Sequence, residues 1–181
     1  MLNWFLRKRL TAFEKDFGYD VSYMRHVLDV DMRAFLRFAR AASAVKYRKD
    51  VPMDLYHAVG FTGIVAADCG PCTQLGVTMA LREGLPAATI AKILRGNLDD
   101  MTEPTQLGVR FARAVIARSP EADELREEIV RRHGPRAVIS LGFALVASQM
   151  YPMFKYALGY GHACQRIEVA GTTVTPKLAV A

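Results

Sequence analysis

Residues 55–82 read LYHAVGFTGIVAADCGPCTQLGVTMALR, two apolar stretches of helical composition on either side of the segment DCGPC at 68–72. Proline breaks a helix interior, but it fits the first turn, where the N–H it lacks has no partner to lose. We therefore expect a helix to begin near Gly70-Pro71 and to run to Arg82. The fold then depends on a pair of helices that meet at the two cysteines.

The rest of the chain shows the same three- and four-residue apolar spacing, which predicts helices. Further helices are expected over 3–17, over 21–28, after Asp29 or Asp31, after Pro52, over 86–95, from Thr102 or Thr105, over 121–132 and over 137–154. Only 167–175 has a strand-like composition, which indicates a short C-terminal extended segment. No repeat or long linker divides the chain. We therefore predict an all-α fold in which residues 1–181 form a single helical domain.

Composition and charge indicate whether the domain assembles with other subunits and in which compartment it works. The chain is 51% hydrophobic, which is slightly apolar for a monomer and favours an interface between subunits. Its three cysteines do not form a secreted disulfide framework, and an apolar start followed by Arg7-Lys8-Arg9 has the wrong order for a signal peptide. A reducing, cytoplasmic location is therefore expected.

Residues 1–50 form a basic N-terminal region, with eleven Lys and Arg against six Asp and Glu. We interpret it as a solvated helical surface, with peripheral contact to an anionic membrane as the alternative, and no nucleic-acid motif accompanies it. Residues 137–154 lack charge and reach the lower length of a membrane span. Polar residues and a proline interrupt them, which favours a buried core or interface helix over a transmembrane segment.

The spacing of Cys69 and Cys72 at a helix start indicates a redox-active pair of thiols. A helix that begins at Gly70-Pro71 places the Cys72 sulfur near unpaired N–H groups and the positive end of the helix dipole. Such a position can lower a thiol pKa from about 8.5 to roughly 3.5–7.5. Two sulfurs at this spacing can also close a disulfide, so one can attack a substrate and the other can resolve the product. These features predict a thiol-dependent oxidoreductase.

Other interpretations of the cysteines remain open at this stage. Thioredoxins use a Cys-Gly-Pro-Cys sequence within a βαβ setting, which the helical pattern here does not provide. Both cysteines could be small buried hydrophobes, or a redox switch in a non-catalytic helical oligomer. A zinc-stabilised structural protein is a further alternative, with Cys69 and Cys72 joined by His162 and Cys164 as ligands.

The segment from about Pro52 to Ala117 resembles the alkylhydroperoxidase D-like branch of the carboxymuconolactone decarboxylase-like family. The matching features are the apolar helix before the motif, the sequence Asp68-Cys69-x-x-Cys72 at a helix start, LREGLP at 81–86, and an Asp99-Asp100 turn before an apolar helix. This family-like core covers about 52–117.

The resemblance implies an all-α fold that assembles as a homo-oligomer, often a trimer or hexamer. It also implies reduction of an organic hydroperoxide or a partner disulfide, with a thiol carrier as the reductant. Cys72 would be the attacking sulfur and Cys69 the resolving one. No metal or organic cofactor is required.

The chain departs from the family pattern at three positions. The family has Glu twelve residues before the first cysteine, His between the cysteines and His four residues after the second, where this chain has His57, Pro71 and Gly76. If the helices pack antiparallel with position 57 opposite position 76, His57 can act as the base that keeps Cys72 a thiolate. Asp68 would orient His57 or move protons, or it would only cap the helix.

Overall fold

The computed structural model describes residues 2–161 and 166–177, and it is 75% helical. Two 3₁₀ turns, Ser43–Lys46 and Leu98–Asp100, lie between the helices. In chain order the α-helices are α1 Leu2–Phe17, α2 Ser22–Val30, α3 Met32–Ala42, α4 Met53–Ala66, α5 Gly70–Arg82, α6 Ala87–Arg95, α7 Glu103–Ala117, α8 Glu121–His133 and α9 Pro135–Ala157. The strands β1 Ile167–Val169 and β2 Thr172–Val174 follow. The all-α prediction with a short extended segment is therefore confirmed.

Helix α4 lies at the centre of the fold. It packs against α5, α6, α7 and α9, and apolar residues are buried around its circumference rather than along one stripe. This explains why its sequence lacks the polar face of a surface helix. The buried residues of α4 are Leu55, Ala58, Val59, Phe61, Thr62, Gly63 and Val65.

Two glycines allow neighbouring helices to approach α4 closely. A β-carbon at Gly108 in α7 would lie 2.8 Å from the Ala58 β-carbon and 2.8 Å from the Leu55 carbonyl oxygen. On the other side, a β-carbon at Gly63 would overlap the Ser148 side chain of α9. The Gly63 carbonyl also accepts a hydrogen bond from Gln149 Nε2 at 2.7 Å. Both crossings therefore depend on the absence of a side chain.

A separate cluster of apolar and aromatic residues lies beneath the N-terminal helices. It joins α1, α2 and α3 to the end of α9 and to Leu75 of α5. Tyr19, Val21 and Tyr23 are buried in it, with relative exposures of 4%, 0% and 1%. The N-terminal region therefore covers the side of the molecule where α5 begins, although sequence analysis predicted only a solvated basic surface there.

The C-terminal hairpin is anchored on α5. Strands β1 and β2 pair antiparallel, and Ile167, Val169 and Val174 are buried against the core. Gln74 makes two hydrogen bonds to the backbone of Glu168, one from its Nε2 to the carbonyl oxygen (3.0 Å) and one from the Glu168 N–H to its Oε1 (2.8 Å). A side-chain amide thus takes the place of a neighbouring strand.

Helix α9 has two contrasting faces. Ala137, Leu141, Leu145 and Ser148 are buried in the core, as expected for a core helix. Away from the core the helix exposes the large apolar residues Ile139, Phe143, Val146 and Met153, and Tyr156 is exposed at the edge of the buried face. Among the described residues, α9 is also the one helix long and apolar enough to cross a membrane by length and composition.

The glycine crossing predicts a specific loss of stability. We expect Gly108→Ala to lower the free energy of unfolding by about 1–3 kcal/mol, because the added methyl group overpacks the contact between α4 and α7. Gly142→Ala is the matched control, since a β-carbon at this α9 position has no neighbour within 4 Å. It should stabilise the helix by up to about 1 kcal/mol. Urea unfolding of both variants checks the prediction, and equal effects would contradict it.

Candidate functional site

Cys69 and Cys72 lie at the turn between α4 and α5. Asp68 has a left-handed backbone (φ 47°), which turns the chain before Cys69. Cys69 is the N-cap of α5, and its Sγ accepts a hydrogen bond from the Cys72 N–H at 3.3 Å. Pro71 occupies the first turn, as predicted. The two sulfurs are joined in a disulfide, with the Cα atoms 5.3 Å apart.

The hydrogen bonds to the two sulfurs at the start of α5 differ from those that we expected. The N–H hydrogen bond at the start of α5 is made to Cys69, whereas we expected the helix N-terminus to act on the Cys72 sulfur. Cys69 is completely buried, and Cys72 retains 7% of its exposure. Cys72 is therefore the more accessible member of the pair, but its sulfur has different neighbours.

Tyr19 and Lys155 are those neighbours. Tyr19 Oη lies 3.7 Å from Cys72 Sγ, and Lys155 Nζ donates a hydrogen bond to Tyr19 Oη at 3.4 Å. The Lys155 ammonium group also lies over the rings of Tyr19 (4.9 Å to the centroid) and Tyr23 (5.3 Å). Lys155 is only 1% exposed, which is rare for a lysine. A buried charged group thus lies behind the disulfide.

Burial is the main cause of the pKa shifts of Lys155 and of the tyrosines around it. It lowers the pKa of Lys155, and the opposing charge of Asp20 offsets this only in part. Burial also raises the pKa values of Tyr19 and Tyr23, and it raises the pKa of Tyr151 to about 12. The phenols therefore remain protonated at neutral pH and can donate hydrogen bonds.

Sequence analysis did not identify Tyr19 or Lys155 as site residues. One signal was present for Lys155: it lies seven and fourteen residues after Ser148 and Leu141, and so on the buried face of the same helix. A lysine in phase with core positions needs a buried partner. Tyr19 gives no such signal, because it lies in the loop between α1 and α2, and only the tertiary fold brings it to Cys72.

His57 does not reach the cysteines. Its Nε2 lies 3.0 Å from Glu83 Oε2, at the opposite end of α5 from Cys72. Helices α4 and α5 do run antiparallel, but a β-carbon at Gly76 would face Phe61 and Ile64 instead of His57. The register is therefore shifted by seven residues, about two helical turns, from the one we expected. The structure therefore does not bring His57 to Cys72, as the expected role of His57 as the base for that sulfur would require.

His57 belongs instead to a charged cluster with Glu83 and Arg48. Arg48 Nη1 lies 2.7 Å from Glu83 Oε2. Burial lowers the pKa of His57, and the interaction with Glu83 offsets this only in part. Burial would raise the pKa of Glu83, but the hydrogen bonds and charges of His57 and Arg48 outweigh it, so the pKa is lowered. This cluster ties the ends of α4 and α5 together.

Asp68 is half-buried beside Cys69. Its backbone carbonyl accepts a hydrogen bond from Tyr156 Oη of α9 at 3.0 Å. The N-cap of α5 is Cys69, whereas one alternative of the sequence analysis gave the capping role to Asp68. The structure also separates Asp68 from the expected relay partner, because His57 lies at the far end of α5.

The zinc alternative gains no support within residues 2–161 and 166–177, where no group of three or more His, Cys, Asp or Glu side chains could hold a metal ion. His162 and Cys164, the other two ligands of that hypothesis, lie outside the described residues.

Comparisons with known proteins leave the family open. No protein-family model matches the chain, and no curated protein or solved structure matches it either. The resemblance to the alkylhydroperoxidase D-like family therefore stays a prediction based on the residues quoted above.

The lowered pKa of His57 predicts acid sensitivity of the fold. The unfolded chain protonates His57 at a higher pH than the folded chain does, so the free energy of unfolding should fall as the pH drops through about 6.5. His57→Gln keeps an amide that can donate to Glu83 but does not titrate. We expect this variant to flatten the decline between about pH 7.5 and 5.5, as measured by urea unfolding.

His26 provides the matched control, because its side chain is exposed. The same exchange at His26 measures what replacing an imidazole by an amide does to the unfolding curve away from Glu83 and Arg48. An identical slope for His57→Gln and the parent would contradict the prediction.

Proposed function

We propose that this protein is a thiol-dependent oxidoreductase whose Cys69–Cys72 pair cycles between dithiol and disulfide. The observation that supports this proposal best is the disulfide at the start of α5, with a hydrogen-bond donor on each sulfur: the Cys72 N–H on Cys69 and the Tyr19 hydroxyl near Cys72. Such donors stabilise a thiolate, which is the reactive form of cysteine.

The exposures favour Cys72 as the attacking sulfur and Cys69 as the resolving one. In the reduced protein, the Cys72 thiolate attacks the terminal oxygen of a hydroperoxide ROOH, the O–O bond breaks, and ROH leaves with one proton. The resulting sulfenic acid condenses with the Cys69 thiol and releases water, which forms the disulfide. Two equivalents of a thiol reductant then restore the dithiol and leave as their own disulfide.

The substrate class is an organic hydroperoxide or the disulfide of a partner protein. Both reactions begin with the same thiolate and end with the same intramolecular disulfide. Cys72 retains only 7% of its exposure, which favours a narrow substrate. A homo-oligomer built on the exposed face of α9, in the cytoplasm, belongs to the same proposal.

Turnover of cumene hydroperoxide with a dithiol reductant tests the proposal. We expect the parent to consume peroxide and Cys72→Ser to fall to the background rate of the reductant alone. Cys69→Ser should react once and stop as the Cys72 sulfenic acid, which dimedone traps for mass spectrometry.

Cys164→Ser supplies the matched control, since it removes the third cysteine and should retain turnover. If Cys72→Ser consumed peroxide as fast as the parent, the enzyme proposal would be wrong. If Cys164→Ser lost turnover together with a bound metal, the zinc alternative would replace it.

A redox switch without turnover is a second candidate, favoured by one contact. Tyr156, which is exposed on α9, donates a hydrogen bond to the Asp68 carbonyl next to Cys69. Opening the disulfide can therefore alter a surface suited to protein contacts. A change in subunit number between oxidised and reduced protein, with no peroxide turnover, would favour this candidate.

A further inference from the structure

A chain of hydrogen bonds runs from Lys155 to the disulfide. A disulfide sulfur carries no hydrogen, so Tyr19 Oη is the donor in its 3.7 Å contact with Cys72 Sγ. The same oxygen accepts from Lys155 Nζ at 3.4 Å. The direction of the chain is thus fixed, from ammonium to phenol to sulfur. It joins three elements that are distant in sequence: the α1–α2 loop, α5 and α9.

The hydrogen bonds between Lys155, Tyr19 and Cys72 are buried to an unusual degree for polar contacts that only support the fold. Tyr19, Cys72 and Lys155 are 4%, 7% and 1% exposed, so water does not compete strongly for their hydrogen bonds. A lysine is not needed to fill this space, since the surrounding cluster is apolar and aromatic. A buried cation is costly unless it has partners, and those of Lys155 include the rings of Tyr19 and Tyr23, the Tyr19 hydroxyl and the charge of Asp20.

We propose that Tyr19 and Lys155 form a proton relay for Cys72. In this relay Tyr19 contacts the reacting sulfur, and Lys155 holds the Tyr19 hydroxyl in position and gives it a proton. This inference rests on the proposed function, and it names the source of the proton that the function requires. The relay takes the role of proton acceptor and donor that we expected His57 to have.

The protons balance over one cycle. The resting dithiol holds Cys72 as thiolate, Cys69 as thiol and Lys155 as ammonium. When the thiolate attacks ROOH, the leaving alkoxide takes a proton from Tyr19 Oη, which takes one from Lys155 Nζ, so ROH leaves and Lys155 becomes a neutral amine. Condensation with the Cys69 thiol then releases water. Lys155 then takes up a proton from solvent and returns to the ammonium form that it has beside the disulfide. Two thiol reductants supply two protons, one to Cys69 and one to solvent, and regenerate the Cys72 thiolate.

The groups facing Lys155 suit this exchange. Tyr19 and Asp20 come from the loop before α2, and Tyr23 from α2 itself. Tyr151, one turn before Lys155 on α9, packs against the same cluster as Tyr19 and Tyr23. Asp20 favours the ammonium form, and burial favours the neutral amine. These opposing influences bring the two forms closer in energy than they are for a lysine in water.

The pH dependence of Cys72 alkylation tests the relay. Reduced protein in the Cys164→Ser background is treated with iodoacetamide over a range of pH, and the Cys72 peptide is followed by mass spectrometry. Tyr19→Phe keeps the ring but removes the hydroxyl, and Lys155→Met keeps the length but removes the charge. We expect each variant to raise the Cys72 pKa by about one unit and to slow peroxide consumption. Such a shift moves the alkylation profile up by about one pH unit and lowers the thiolate population about tenfold at pH values well below the pKa.

Tyr23→Phe is the matched control. The Tyr23 hydroxyl is buried without a hydrogen bond of ordinary geometry, although it is close enough to influence the pKa of Tyr19. Its removal should shift the Cys72 pKa much less than removal of the Tyr19 hydroxyl. Circular dichroism reports whether each variant folds. If Lys155→Met does not fold, the result for Tyr19→Phe alone tests the relay.

The outcomes separate the relay from the proposed function. If the parent turns over peroxide and Tyr19→Phe matches it in both rate and Cys72 pKa, the relay is wrong and the oxidoreductase stands. If Tyr19→Phe raises the Cys72 pKa but the parent consumes no peroxide, the coupling stands and the proposed function fails. A Cys72 pKa at or above about 8.5 in the parent overturns the relay without any variant.

Discussion

The contact between Gly63 of α4 and Ser148 of α9 fixes the arrangement on which the rest depends. It leaves no room for a β-carbon, and the adjacent Gln149 side chain bonds to the Gly63 carbonyl. Lys155 lies seven residues further along α9, about 10 Å at 1.5 Å per residue, and so on the same face. The close crossing therefore sets where the buried ammonium group lies relative to the start of α5.

Local features of the sequence account for most of the fold. The start of α5 follows from Pro71, the end of α6 from Gly96 in the left-handed region, and the start of α3 from Asp31, whose carboxylate accepts the Arg33 N–H. Each of these signals acts within a few residues, so it needs no knowledge of the tertiary structure. The pairing of Cys69 with Cys72 belongs to the same class, because both lie in one turn.

The site depends on contacts that local signals do not encode. The antiparallel packing of α4 and α5 was predicted, but its register was not, because the register depends on how Phe61 and Ile64 pack around Gly76. That shift of two turns carries His57 to Glu83 and away from the sulfurs. The group that does approach Cys72 comes from a loop more than fifty residues earlier, which no pattern within the motif could reveal.

The amide of Gln74 has a consequence for the end of the chain. Gln74 lies two residues after Cys72 in the first turns of α5, and its side chain holds both backbone groups of Glu168. The hairpin is therefore held on the helix that carries the cysteines by one polar side chain, in addition to the burial of Ile167, Val169 and Val174. A change in the tilt of the first turns of α5 would therefore act directly on the terminal strands, through the amide that joins the two.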